Sequence, residues 1–386
     1  MNNNINETIH SFILSSEKDK EKPNILTTIE NAYLRLLLFL QTKFTYGHSA
    51  SDSYHFSNVI KEKVSLFLLI RSSEDKGTLP ETIITVNGRD LHLWQFPFSR
   101  CSILKNLHSD SITCLVTDNK KYLFTGGLDK NVYLIEYSKN SKLKIKKPIL
   151  LLSNFEAITS MVYFQRKTID SKKKVEIKQR SLLIAAINRI DLYVSKDRKE
   201  INVMNQIMTF NIESKPTNLR SFLIIYNDSF FIFAANNYVS IKPLNKGIPS
   251  NGAIQIHGKK GEIMTSITSI IKLSTGIVVT CSNDKTIKFW TIGLDLAVIN
   301  LATNEFKEGF SCVKEISKEK LLSGSINGRV ALWSLKTYSL MKVYDVQLDF
   351  VFCIETMKVY DNNNNIALCL VSVPEAIELW VFDINN

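Results

Sequence analysis

The side chains best suited to acid–base, nucleophilic or metal chemistry in this chain are six histidines and six cysteines. The histidines are His10, His48, His55, His92, His108 and His257; the cysteines are Cys101, Cys114, Cys281, Cys312, Cys353 and Cys369. An imidazole titrates near neutrality and a thiolate is a nucleophile and metal ligand, so either type would be diagnostic if it clustered. Neither does. The cysteines contain no CxxC pair and no metal-ligand spacing, and they read as reduced core thiols of a cytoplasmic or nuclear protein. The chain lacks HExxH, GxSxG, GxGxxG and a GxxxxGK phosphate loop; HGKKGE at His257 has neither the spacing nor the hydroxyl residue of the last. The expectation is a protein that is not an enzyme and has no cofactor or metal.

What the chain does concentrate is positive charge. Its formal charge is +11, and between Ser138 and Arg180 twelve Lys and Arg face three acids, a net +9. These cations fall in two runs, SKNSKLKIKK (138–147) and QRKTIDSKKKVEIKQR (165–180), both read as loops. The first offers Lys142, Lys144, Lys146 and Lys147; the second offers Arg166, Lys167, Lys172, Lys173, Lys174, Lys178 and Arg180. Such runs serve as solvated loops, as a nuclear localisation signal around Lys172–Lys174, or as contacts for RNA, an acidic protein segment or anionic lipid. The second run has no aromatic to stack a base, and no RRM, KH or zinc-finger pattern is present.

These residues need a scaffold. With 386 residues, 45% of them hydrophobic and 22% charged, the chain can bury one large core or two modest ones. No apolar run is long enough for a membrane span; AYLRLLLFL (32–40) is short and contains Arg35. The first residues carry acids and no early positive charge, which argues against a secretory or mitochondrial leader. Residues 1–50 read as a helical extension. Its main helix, about 25–44, carries Ile29, Tyr33, Leu36, Leu37 and Leu40 on an apolar face that would pack on the rest of the chain or dock a partner.

From residue 51 onward one pattern recurs: a short apolar strand, a tight polar turn, then an alternating strand. It is clearest in VVTCSNDKTIKFWTI (278–292), and returns in LLSGSINGRVALWSL (321–335), YLFTGGLDKNVYLIEY (122–137), TIITVNGRDLHLWQF (82–96) and IALCLVSVPEAIELWVFD (366–383). Weaker copies are LLIAAINRIDLYVS (182–195) and FFIFAANNYVSIKPL (230–244). A common slot falls at Trp94, Ile135, Tyr193 or Leu192, Ile241, Trp290, Trp333 and Trp380, at intervals of about 41–58 residues, around the length of a four-stranded propeller blade. Seven slots predict an all-β propeller of seven blades over 51–386.

This pattern resembles the WD-repeat family. The resemblance implies a buried network in which an Asp of the turn bonds a His ahead of the first strand, with a Ser or Thr and the Trp completing it. Asp284, His257, Thr280 and Trp290 fit it. Asp129, His108 and Thr125 fit it with Ile135 in place of Trp, and Ser323 and Trp333 fit it with Asn327 in place of Asp. The other four turns, with Gly88, Ala186, Ala235 and Pro374 six before the slot, are expected to rely on apolar packing. The last blade has no sequence left for an outer strand, so residues 54–60 should supply it. The resemblance also implies that both basic runs open on one face of adjacent blades. The expected function is a non-enzymatic interaction scaffold, a WD-repeat subunit of a larger assembly with other protein subunits as partners. The alternative is an RNA- or ribonucleoprotein-associated propeller using the basic face.

Overall fold

The computed structural model describes residues 46–48, 53–60, 64–70, 82–95, 99–138, 144–153, 156–169, 176–195, 201, 203–212, 216, 219–245, 252–258, 265–345, 350–360 and 366–384. The helix expected at 25–44, with Ile29, Tyr33, Leu36, Leu37 and Leu40, lies outside them. Within them there are only strands, and the alternation read from the sequence becomes seven antiparallel sheets. Two strands come first, β1 (Tyr46–His48) and β2 (Ser53–Ile60).

Blade one then runs β3 (Leu66–Ile70), β4 (Thr82–Asn87), β5 (Asp90–Gln95) and β6 (Ser99–Leu104). Blade two is β7 (Ile112–Thr117), β8 (Tyr122–Gly127) and β9 (Asn131–Ser138), with β10 (Lys144–Ile145) and β11 (Ile149–Ser153) sharing the outer position against β9. Blade three is β12 (Ile158–Ile169), β13 (Glu176–Ala186), β14 (Arg189–Ser195) and β15 (Met204–Asn211). Blade four is β16 (Ser221–Ile225), β17 (Phe230–Ala235), β18 (Tyr238–Pro243) and β19 (Ile254–Gln255). Blade five is β20 (Ile267–Lys272), β21 (Val278–Ser282), β22 (Thr286–Ile292) and β23 (Val298–Glu305). Blade six is β24 (Phe310–Glu315), β25 (Lys320–Ser325), β26 (Arg329–Ser334) and β27 (Ser339–Asp345). Blade seven is β28 (Cys353–Tyr360), β29 (Ile366–Val373) and β30 (Ala376–Asp383), completed by β2 and edged by β1.

The innermost strands touch in the cycle β3, β7, β12, β16, β20, β24, β28 and back to β3, which closes the ring. Its closing strand is β2, paired antiparallel with β30 from Ser53↔Phe382 to Ile60↔Ile377, where the sequence places it. β1 departs from expectation. Tyr46–His48 falls in the segment read as helical, yet pairs with Tyr54–Phe56 as a fifth strand; three residues are too few to show a period of two.

A blade buries neither face alone, so the core lies between neighbours. Ile232, Val239 and Ile241 of blade four meet Ile267, Val278 and Trp290 of blade five. Val279, Phe289 and Cys281 of blade five meet Leu321 and Trp333 of blade six, and Leu332 and Tyr344 of blade six meet Cys369 and Trp380 of blade seven. Each of these tryptophans therefore fills the interface with the preceding blade. Burial also explains the thiols: Cys114, Cys281, Cys312, Cys353 and Cys369 are free, and burial pushes Cys114 and Cys369 up to about 12.

The face assignments correct the slot in blade four. Phe231, Phe233 and Ala235 face blade three, and register pairs Phe231 with Lys242, so the side chain in the tryptophan position is Lys242, only 5% exposed. Ile241 points the other way, into blade five. In blade three the slot is Tyr193, which packs toward blade two, whereas Leu192 packs toward blade four.

Ile60 and Ile377 are both fully buried and paired at the ring closure. Replacing either by Ala should cost about 2–5 kcal/mol in chemical denaturation. The double variant should cost less than the sum, by about 0.5–3 kcal/mol, as expected for residues in contact; strict additivity would separate β2 from the closure.

Candidate functional site

The residues singled out for the buried network sit where an incoming loop meets the turn between a blade's second and third strands. In blade two His108 Nδ1 lies 2.8 Å from Asp129 Oδ1 and its Nε2 lies 2.8 Å from Thr125 Oγ1. Asp129 also accepts the Ser109 amide at 3.0 Å. In blade five His257 Nδ1 is 3.1 Å from Asp284 Oδ2, its Nε2 is 2.9 Å from Thr280 Oγ1, and Trp290 Nε1 donates to the same hydroxyl at 3.2 Å. Asp284 also accepts the Gly258 amide at 2.8 Å and the Thr286 hydroxyl at 2.6 Å.

Both histidines are enclosed, at 1% and 0% exposure. Burial lowers the His257 pKa despite the Asp284 partner. For Asp284 burial works upward, but the hydrogen bonds from His257 and Thr286 outweigh it and hold the carboxyl well below its usual range; Asp129 is lowered in the same way by His108. A hydroxyl, an imidazole and a carboxylate in line are the parts of a nucleophilic relay. Here each hydroxyl is fully buried, at Thr125 and Thr280, and Thr280 is occupied by the tryptophan N–H, so the relay is spent on holding a turn.

Turn length decides which blades have this arrangement. In blades two, five and six three residues join the second and third strands, and the third has a positive φ: Lys130 (69°), Lys285 (70°) and Gly328 (77°). The network Asp occupies the middle position. Blades one, three, four and seven use two residues, Gly88–Arg89, Ile187–Asn188, Asn236–Asn237 and Pro374–Glu375, so that position does not exist.

These blades are still not purely apolar, contrary to expectation. In blade one Trp94 Nε1 donates to Thr85 Oγ1 at 2.9 Å. In blade seven Trp380 Nε1 donates to the buried Glu378 at 2.9 Å, and burial raises that carboxyl's pKa against the pull of the donated bond. In blade three the polarity of the tie is reversed. Glu156, two residues ahead of β12, accepts from the Asn188 amide at 2.8 Å and from its side chain at the turn. Blade six does the same with Glu308, two residues ahead of β24, which accepts from Arg329 Nη1 at 2.5 Å and Ser325 Oγ at 3.1 Å. Asn327, expected in that network, is exposed instead, while Ser323 and Trp333 keep their bond at 2.8 Å. An acid placed ahead of the inner strand was the missed signal.

The basic runs differ from expectation in form. Residues 165–169 and 176–180 are not a loop but the far end of the β12–β13 ladder, paired in register to Ile169↔Glu176. With Ile169 and Ile177 as their only apolar residues, these two segments show no period of two. Lys142, Lys172, Lys173 and Lys174 lie outside the described residues, and of Lys144 and Lys167 only the strand and register are described. Of the rest, Lys146 and Arg180 are joined by one chain of contacts. Lys146 and Lys121 flank Glu136 at 2.8 and 2.9 Å, Lys121 lies over the Tyr122 ring at 5.1 Å, and Arg180 lies over the same ring at 5.5 Å. Arg166 points the other way and donates to Asn245 of blade four. Lys147 and Lys178 are exposed. Among the described residues no group of three or more His, Cys, Asp or Glu side chains could hold a metal, and no helix is long and apolar enough to cross a membrane.

Seven blades closed into one ring define a seven-bladed β-propeller, and blades two and five carry the complete tie that the resemblance to WD repeats implies. Residues 101–136 and 256–291 match the WD domain, G-beta repeat family, and these are the segments that hold the two complete His–Thr–Asp ties. Among solved structures the chain is similar to Sqt1 of Saccharomyces cerevisiae, at 13% identity and a TM-score of 0.58, over 86% of this chain and 98% of that one. No curated protein matches the sequence. Since 1242 solved chains match the fold, this likeness shows architecture alone.

Asp284→Ala should lower stability by about 2–4 kcal/mol at neutral pH, read by urea denaturation, because it strips four half-buried donors, the His257 ring, the Gly258 amide and the Thr286 amide and hydroxyl, of their acceptor. Both His257 and Asp284 bind protons less readily folded than unfolded, so stability falls with acidification, first through the imidazole and then below the usual carboxylate range. The gap between variant and parent should narrow in that second window. Glu308→Ala should cost about 1–3 kcal/mol by the same assay, since it leaves Arg329 without its carboxylate.

Proposed function

We propose that the chain is a non-enzymatic scaffold, a subunit of a larger protein assembly that presents several surfaces of one rigid ring. WD-repeat propellers as a class serve protein interaction, and one observation carries the reading here. The outer strands leave apolar side chains in water: Ile149 and Leu150 on β11, Ile299 and Leu301 on β23, and Leu340 on β27, all more than 40% exposed. β23 runs from Val298 to Asn304 without a charge, and its outer edge has no strand partner among the described residues. Edges of this kind are ordinarily blunted by lysine, proline or a covering element, and apolar groups on them fit a protein surface better than a small polar substrate.

Purification of the full chain from its native extract, split into nuclease-treated and untreated halves, tests the proposal. Partners should survive nuclease at near-stoichiometric yield. Ile299→Asp combined with Leu301→Asp should weaken at least one of them about tenfold or more without unfolding the ring. Loss of all partners in the treated half would make RNA the bridge and overturn the scaffold reading.

A further inference from the structure

The β12–β13 ladder continues beyond the rest of its blade. β13 pairs with β14 only from Ser181 onward, so residues 176–180 and their partners 165–169 extend about 15 Å further as a two-stranded arm. The arm inherits the two faces of the blade. Tyr163 and Leu182 pack toward blade two, Val162 and Phe164 toward blade four. Arg180, two residues before Leu182, continues the blade-two side and caps Tyr122, and the exposed Lys178 comes next on that side.

Register sets Lys167 opposite Lys178. Blade two adds Lys146 and Lys147, with Lys121 behind. We propose that this side of the arm, with the adjoining edge of blade two, docks an acidic segment of a partner protein. The inference names the chemistry of one partner and so rests on the scaffold reading.

Carboxylate is the anion already bound here: Glu136 sits between Lys121 and Lys146, and its pKa is lowered by both. Alternate residues of an extended acidic segment repeat at about 7 Å, the spacing of Lys178 and Arg180 along their own strand. RNA fits less well. Tyr122 is 4% exposed beneath its two cations, and Tyr163 is stacked on Phe124 at 5.5 Å, so neither ring is available to a base. The bidentate fork that suits phosphate is limited to Arg180, which is committed to Tyr122.

The test uses purified full-length protein with a labelled alternating Glu-Asp peptide and an oligouridylate of equal length, measured by fluorescence anisotropy at low and physiological salt. The peptide should bind, more weakly at the higher salt, and K146E/K147E/K178E should weaken it by about tenfold or more at an unchanged melting temperature. The matching Lys→Gln set should give an intermediate loss and supplies the readout if the Glu set unfolds. Absence of peptide binding, or binding indifferent to both sets, overturns the proposal. Tighter binding of the oligouridylate, lost with the same variants, overturns it in favour of nucleic acid. Either failure leaves the scaffold reading standing if nuclease-resistant partners persist.

Discussion

The third strand of every blade must present one large side chain to the blade before it, and the turn that precedes this strand has either two residues or three. Side chains alternate with a period of two, so a turn one residue shorter moves the slot from ten residues after the hydroxyl position to nine. Thr280 and Trp290 show the longer spacing, Thr85 and Trp94 the shorter. Only the longer turn has a middle residue to hold an aspartate under the incoming loop. Among the short turns, blade three meets the same need from the other side, with Glu156 reaching down from the loop to Asn188, whereas in blade seven Glu378 accepts from Trp380 within the third strand itself. Blade six has the long turn with Asn327 in the middle, and it too reverses the tie, through Glu308. Blades two, three, five and six share the link between loop and turn; which side supplies the acid varies among them.

That difference explains how much could be read in advance. The ring, its seven members and its closing strand were legible because apolar alternation and a tryptophan slot survive single changes. Lys242 was not, since a lysine does not read as core, yet its long aliphatic stem can line an interface as a snorkelling residue. Glu156 and Glu308 look like ordinary loop acids until the loop is seen above the turn. The arm at 165–169 and 176–180 was read as a loop because a ladder with one isoleucine in each strand carries no hydrophobic period. β1 was too short for any pattern to speak.

The same regularity links the core to the surface. Blade three has no boundary between packed sheet and exposed arm; one ladder passes from Leu182 and Tyr163 through Arg180 to Lys178. Cations fixed on such a ladder need little further ordering when they engage a partner, whereas cations on a free loop would lose backbone freedom first. The buried histidines and aspartates do the opposite work. His108 and His257 are enclosed and bonded through both ring nitrogens, and the groups proposed to meet other molecules are the lysines and aliphatics of the rim.

Closure through β2 also sets an order of events in time. Ile60 pairs with Ile377, so at about 5–20 residues per second roughly 15–65 s of synthesis separate the two halves of that contact. For that interval the nascent chain is an open arc with a waiting strand, whose amide and carbonyl groups are free to pair with any passing edge. Local hairpins within each blade can form at once, while the one long-range pairing that turns the arc into a ring must come last. A strand made before any of the seven inner strands is the strand that finishes the ring.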